Sequence, residues 1–337
     1  MPPIQELRAE EAPGTLRYAG HALMGLVFLT ASVTAYTYFS GSAAASSQTQ
    51  TAAAAATAVR EDEERVATEA FKAVALEAEA AIVYDASTGA VLFRRNAEAQ
   101  LPLASLTKVP LVLAVSEALP LSSIMTLESS LKGAGNTESL SAGTAWTTSD
   151  LIAYTLASSS NEGAELLAAA ADEPLRTRYP EAPQGSAAVW LMNRLAGELH
   201  LAHTYFLNPS GLDENATLSG AYGSAADAAA LFAYAASTSP DLFRATTLKE
   251  VTITSPDGLT ARAQNTDEVL EEVPGLVMGK TGFTDLAGGN LAIVADLAPG
   301  HRIVAVVLGS TRSGRFSDMR ELLAAATAAV TRGAPAL

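Results

Sequence analysis

The spacing of apolar positions changes character several times along the chain, and those changes predict its organisation. Residues 21–39 (HALMGLVFLTASVTAYTYF) form an apolar run with no group charged at neutral pH. It is long enough to cross a bilayer as one helix, with Tyr36, Tyr38 and Phe39 as an aromatic interfacial edge. The Ala/Ser/Thr/Gln tract at 42–59 cannot bury apolar surface and reads as a linker, after which 61–77 returns to helical spacing as a lead-in helix. From about Glu77 the pattern is that of a folded domain. Ala80 to Asp85 and Ala90 to Phe93, separated by Ser87-Thr88-Gly89, predict a hairpin. An apolar helix follows from Ser105 to about Leu119, with Pro110 in its second turn as a bending point.

Between about 110 and 240 the Ala- and Leu-rich pattern is mostly helical, interrupted by polar loops. Thr147 to Asp150 has the T-x-x-D spacing of a capping box, and Asp227 opens a further helix. Strand patterning returns in Gly275 to Gly282, Asn290 to Asp296 and Arg302 to Leu308, the last two joined by Ala298-Pro299-Gly300. Arg315 to Val330 is then an amphipathic helix. Strands at both ends with helices between them imply an α/β fold of the α+β kind. Early and late segments close one mainly antiparallel sheet, flanked by helices and carrying an inserted helical lobe. The predicted divisions are a cytoplasmic N-terminal tail at 1–20, a transmembrane anchor or signal segment at 21–41, a linker at 42–76 and the folded domain at 77–332.

Composition narrows the function. The 337 residues are 49% hydrophobic, enough for a substantial core. A net charge of −15 and no basic stripe argue against nucleic acid as a partner. The absence of cysteine removes disulfides, thiolate metal sites and a cysteine nucleophile. His200 and His203 stand at i, i+3, but no further ligand lies at metal spacing beside them, so no metal is predicted. Arg17 flanks the apolar run on one side and Glu61-Asp62-Glu63-Glu64 lies beyond it on the other. That charge distribution keeps the N-terminus in the cytoplasm and the domain outside. The span reads as an uncleaved anchor; Ala43-Ala44-Ala45 offers the alternative of signal-peptidase cleavage and secretion.

Three short segments carry candidate chemistry. Ser105-x-x-Lys108 places a lysine on the same helical face as a serine, near a helix N-terminus that favours developing negative charge. A desolvated lysine there becomes a neutral amine able to take the serine proton. Ser159-x-Asn161, in a polar break between apolar helices, offers a hydroxyl and a carboxamide, and equally fits an ordinary N-cap loop. Lys280-Thr281-Gly282 lies on a strand, where Gly282 lets a ligand backbone approach the edge.

In this order and setting, the three segments closely resemble the penicillin-binding and serine β-lactamase superfamily. The finer matches resemble the low-molecular-mass D-alanyl-D-alanine carboxypeptidases. They are Ala104-Ser-Leu-Thr-Lys108, Ser159-Ser-Asn-Glu162, Met278-Gly-Lys-Thr-Gly-Phe-Thr284, Asn208-Pro-Ser-Gly-Leu-Asp213, Asn265-Thr266, Val307-Leu-Gly-Ser310 and Arg315-Phe316. The resemblance covers about 78 to 330 and implies a penicillin-binding serine peptidase domain of β-lactamase/transpeptidase-like fold. It implies Ser105 as nucleophile, Lys108 as its proton acceptor, and Ser159 and Asn161 as proton relay and substrate positioner. Lys280 and Thr281 would hold the terminal carboxylate, with Arg315 as a further candidate. The amides of Ser105 and Phe283 would form the oxyanion hole. No cofactor is implied. The implied partners are a peptidoglycan stem peptide, β-lactam inhibitors and, through residues 21–41, the cell membrane.

The reaction so implied removes the terminal D-alanine through an acyl-enzyme. A D,D-endopeptidase would use the same residues. A class A β-lactamase would need a dedicated deacylating carboxylate, and Glu162 is not placed for that. A catalytically idle, membrane-tethered wall-binding protein would have no use for a neutral-lysine base. The family's second β-rich domain and terminal membrane helix have no counterpart after 330, and Ser160 stands where relatives often carry Gly.

Overall fold

The late apolar runs are unbroken rather than alternating, and the sheet explains why. The structure, a computed structural model, describes residue 66 and residues 68–332; the anchor predicted at 21–41 lies outside the described residues. Five long strands, β1 (Ala80–Asp85), β2 (Ala90–Arg95), β3 (Leu276–Thr284), β4 (Gly288–Ala298) and β5 (His301–Ser310), form one antiparallel sheet in the order β3-β4-β5-β1-β2. The first two strands therefore complete a sheet begun by the last three, as the sequence pattern predicts.

Both faces of this sheet are covered. Ile82, Ala292, Val294, Val304 and Val306 face the helical lobe, while Val83, Leu291, Ile293, Ile303, Ala305 and Val307 face the C-terminal helix. Strands buried on two sides have no polar face to alternate with, hence the continuous runs. The lobe comprises α1 (Lys108–Ala118), α2 (Thr148–Ser158), α3 (Asn161–Arg178), α4 (Ala187–Glu198) and α5 (Ala225–Thr238); α6 (Gly314–Arg332) seals the other face through Phe316, Met319, Leu322 and Ala326. Phe316, Met319 and Leu322 each contribute about 1.5–3 kcal/mol on burial. Among the described residues no helix is long and apolar enough to cross a membrane.

Several local expectations are corrected. Helix α1 begins at Lys108 rather than Ser105, which sits in a preceding 3-10 turn, Ala104–Thr107. Pro110 consequently lies in the first turn, where its missing N–H is not needed. The lead-in helix ends at Phe71 and the chain turns towards β1, because Phe71 is drawn into the core beneath α6, stacked on Phe93. Ser224, not Asp227, opens α5: its side chain accepts from the Asp227 amide. The capping box of Thr147 and Asp150 on α2 is present. A hairpin of Glu250–Thr254 with Thr260–Gln264 buries only alternate residues, and the sequence pattern does not single it out.

Gly211 ties the loop before α5 to the turn carrying Ser105. Its φ is +76°, and a Cβ there would stand 1.9 Å from the Ala104 carbonyl oxygen. Gly258 has a similar φ of +81° but faces open space. Gly258→Ala should therefore cost about 1–2 kcal/mol from backbone strain alone. Gly211→Ala should cost distinctly more, because the turn must also move. Urea melts of the two variants check this, and equal destabilisation would contradict the close approach.

Candidate active site

The site is assembled where the 3-10 turn, the α2–α3 junction, the loop at 207–219 and strand β3 meet. In a 3-10 turn side chains three apart eclipse, which brings Lys108 over Ser105 more directly than an α-helix would. The Lys108 ammonium nitrogen, fully buried, donates to Ser105 Oγ at 2.7 Å, to Asn161 Oδ1 at 2.8 Å and to the Ser210 carbonyl at 2.9 Å. Burial pulls its pKa down to about 7, against the opposing pull of Glu165 and Glu162. A lysine in that range is neutral often enough at physiological pH to take a proton from a hydroxyl within hydrogen-bond reach.

The second segment is equally specific in geometry. Ser159 caps the C-terminus of α2 with φ +57°, a left-handed conformation that costs a non-glycine residue about 1–2 kcal/mol. Ser160 then caps α3 by accepting from the Gly163 amide, so the N-cap loop is present one residue after Ser159. The reversal turns Ser159 Oγ towards β3, where it accepts from Lys280 Nζ at 2.9 Å. Lys280 is buried and its pKa is pushed well below the usual lysine value, first by burial and then by the charges of Lys108 and Arg315. Thr281 and Thr266 share a hydrogen bond between their hydroxyls, which aligns the segment before β3 with the strand.

Gly282 packs closely against the serine turn. A Cβ there would lie 3.0 Å from the Leu103 carbonyl, 3.1 Å from Ala104 Cβ and 3.2 Å from the Ser105 amide nitrogen. The missing side chain admits the serine turn against the strand. The Ser105 amide and the β3 backbone approaching Phe283 therefore lie side by side. Asn290 on β4 supports this packing, donating to the Pro102 carbonyl and accepting from the Gly309 amide.

Arg315 is buried, and its Nη1 donates to the Gly282 carbonyl at 2.6 Å while Nε has no protein partner. Burial, then Arg312, lowers its pKa to about 10. Arg312 itself is exposed and lies over the Phe283 ring, 3.8 Å from the centroid. Asp267, buried beside this group, has its carboxyl raised by desolvation. A separate cavity of about 800 Å³ around the turn at 298–301, lined in part by Tyr84, Tyr234 and His301, contains none of these residues.

All nine residues singled out from sequence thus converge on one region. Two others were not read as functional: Ser210, whose carbonyl holds Lys108, and Thr266, bonded to Thr281. The segment Asn208 to Asp213 stood out as a motif, but a backbone acceptor has no side-chain signature that could identify it.

A family model described as D-alanyl-D-alanine carboxypeptidase matches residues 65–312. The chain is 29% identical over 265 residues to the D-alanyl-D-alanine carboxypeptidase DacF of Bacillus subtilis, covering 74% of this chain and 62% of that protein. The chain thus spans less than two thirds of this relative's length. Among solved structures, a Listeria monocytogenes penicillin-binding protein in its ampicillin-bound form superposes with a TM-score of 0.60 at 28% identity, covering 74% of this chain and 97% of that one. A D-alanyl-D-alanine carboxypeptidase from Mycobacterium tuberculosis gives 0.62 at 26% identity, covering 75% and 92%. The fold is the penicillin-binding, transpeptidase-like α/β fold with antiparallel sheets and helices. With its motifs gathered into one site and most of its length matched by the family model, the chain belongs to the D-alanyl-D-alanine carboxypeptidase family.

Proposed function

We propose that this chain is a serine-type D-alanyl-D-alanine carboxypeptidase that removes the terminal D-alanine from peptidoglycan stem peptides through an acyl-enzyme on Ser105. The observation that carries this reading is the buried Lys108 amine, with a pKa of about 7, hydrogen-bonded to Ser105 Oγ at 2.7 Å. Lys108 takes the hydroxyl proton as Oγ attacks the carbonyl carbon between the two D-alanines. The amides of Ser105 and Phe283 face the developing oxyanion. Ser159, held by Lys280, passes a proton to the leaving amine as the C–N bond breaks. Water then cleaves the ester and restores the serine.

The guanidinium groups of Arg315 and Arg312 make the β3 end of the site cationic, and Lys280 and the Thr281 hydroxyl add hydrogen-bond donors, which together suit the free carboxylate of a peptide C-terminus. Residues 21–41 hold the enzyme to the cell membrane with the catalytic domain on the outer side, where the wall lies; apolar length and flanking charge support this placement. The ampicillin-bound relative supports penicillins as acylating inhibitors of Ser105.

Intact mass of the full-length protein, followed in time after addition of a penicillin, tests the nucleophile. A lasting adduct should form on the wild type and be absent from Ser105→Ala, and the same substitution should abolish D-alanine release from a D-Ala-D-Ala peptide. Rapid clearance with consumption of the drug would indicate a β-lactamase instead. Cleavage of cross-linked peptides in preference to the linear one would indicate an endopeptidase.

The lysine carries its own prediction. The base is the deprotonated amine, so the acylation rate should rise with pH through about 7 and level off above it. Lys108→Arg keeps the charge but cannot give up its proton, and acylation should fall about 10²–10⁴-fold. A penicillin acylation rate that stays flat between pH 6 and 8 would contradict Lys108 as the base.

A further inference from the structure

The two amides that face the developing oxyanion come from different parts of the chain, Ser105 from the 3-10 turn and Phe283 from β3. Before Phe283, the strand is held to the turn by the close packing of Gly282. After it, the connection runs through the loop at 207–219, by a residue of the Asn208–Asp213 motif that the steps above leave unused. The near part of that loop is fixed to the serine turn: Gly211 lies against the Ala104 carbonyl, and the Ser210 carbonyl accepts from Lys108 Nζ at 2.9 Å. Asn208 braces the loop internally, its Oδ1 accepting from the Gly211 amide at 2.7 Å and its Nδ2 donating to the Leu212 carbonyl at 2.8 Å. Gly220 makes room for this side chain, since a Cβ there would stand 2.3 Å from Asn208 Nδ2.

From the braced loop the half-buried Asp213 side chain reaches the end of β3. Its Oδ1 accepts from Thr284 Oγ1 at 2.9 Å and its Oδ2 from the Leu286 amide at 3.1 Å. Thr284 is buried, is the last residue of β3 and directly follows Phe283. Its hydroxyl accepts from the Ala287 amide at 3.1 Å, so its single proton goes to Asp213. One carboxylate thereby holds the strand end and the turn into β4 at two points, and both partners are donors. A carboxamide cannot match that pattern. With its oxygen on the Leu286 amide, an asparagine would turn its NH₂ towards a hydroxyl whose own proton then lacks an acceptor.

We propose that Asp213 is a positioning residue that fixes the Phe283 amide relative to the Ser105 amide, and so completes the oxyanion hole. The inference deepens the reading of Ser105 as the nucleophile of an acyl transfer, and rests on it. Asp213 acts through Thr284 rather than on the substrate. An oxyanion hole works only with both donors about 2.7–3.1 Å from the developing charge, and misplacement by about 1 Å costs about 10²-fold in rate. Asn208 and Gly211 hold Ser210 against Lys108 independently of Asp213, so the base keeps its acceptors when the carboxylate is lost.

Penicillin acylation of the full-length protein, resolved into maximal rate and half-saturating concentration across pH, tests this. In Asp213→Asn the maximal rate should fall about 10–100-fold, with the half-saturating concentration and the rising limb in pH close to those of the wild type. Thr284→Val should reproduce the loss, Thr284→Ser should restore the rate with the hydroxyl, and the Asp213→Asn/Thr284→Val double variant should be little worse than either single one. A rising limb that moves in Asp213→Asn, or a Thr284→Ser rate as low as that of Thr284→Val, overturns the inference. The nitrogen-15 signal of the Phe283 amide, in phenylalanine-labelled protein and assigned with Phe283→Leu, reads position without turnover. It should move in both Asp213→Asn and Thr284→Val, and an unmoved signal overturns the inference. A wild type that is never acylated overturns the catalytic reading instead, and the Phe283 signal still decides whether Asp213 positions that amide.

Discussion

An ammonium group cannot be buried without oxygen partners, and the burial of Lys108 organises this domain. Its three acceptors come from the turn before α1, the start of α3 and the loop before α5, separated from it in sequence by 3, 53 and 102 residues. Desolvation disfavours the charged form and the acceptors favour it. The balance leaves the amine near neutrality rather than at its ordinary value. If one acceptor moves, the lysine either regains solvent and protonates or stays buried and unpaired. Either outcome breaks the balance, so the fold must hold three distant segments within hydrogen-bond distance of one atom.

The surrounding backbone accepts strain to do this. Ala104 and Ser159, each adjacent to or part of a catalytic motif, have φ of +48° and +57°. Each conformation costs of the order of 1–3 kcal/mol and persists only where neighbours over-determine it. For Ala104 the neighbours are Gly211 on one side and Gly282 on the other, both lacking the atoms that would collide with the turn. For Ser159 they are the end of α2 and the capped start of α3. The sheet that carries β3, buried on both faces, supplies the rigidity against which these strained turns are held.

This division explains what the sequence disclosed. Strands β3, β4 and β5 and helix α6 were legible because two-sided burial leaves long apolar runs and one-sided burial leaves a helical stripe. The motif side chains were legible because hydroxyl, amine and carboxamide chemistry is written in residue type. Less legible was anything carried by the main chain: the helix start at Lys108, the Ser210 carbonyl, and the close packing of Gly282 against the serine turn.

Charge distribution adds a final constraint. The chain is strongly acidic, at −15, yet Lys108, Lys280, Arg312 and Arg315 are gathered around one end of β3. Their mutual repulsion is part of why Lys280 and Arg315 titrate low, Lys280 beside Lys108 and Arg315 beside Arg312. Such a cluster would be unstable in isolation. Asp267, buried beside it, partly offsets the repulsion, at the expense of its own carboxyl being raised. Its Oδ2 and Arg315 Nε have no protein partner, so the cluster is not fully satisfied internally. An acidic protein surface disperses anions, while a desolvated cationic patch concentrates potential where field lines cannot spread into water. The same burial that weakens Lys108 as an ammonium ion therefore leaves Arg315 and Arg312 as the permanent positive charges of the site. The base and the anion-attracting groups can differ in protonation state at one pH because lysine yields its proton to desolvation far more readily than arginine does.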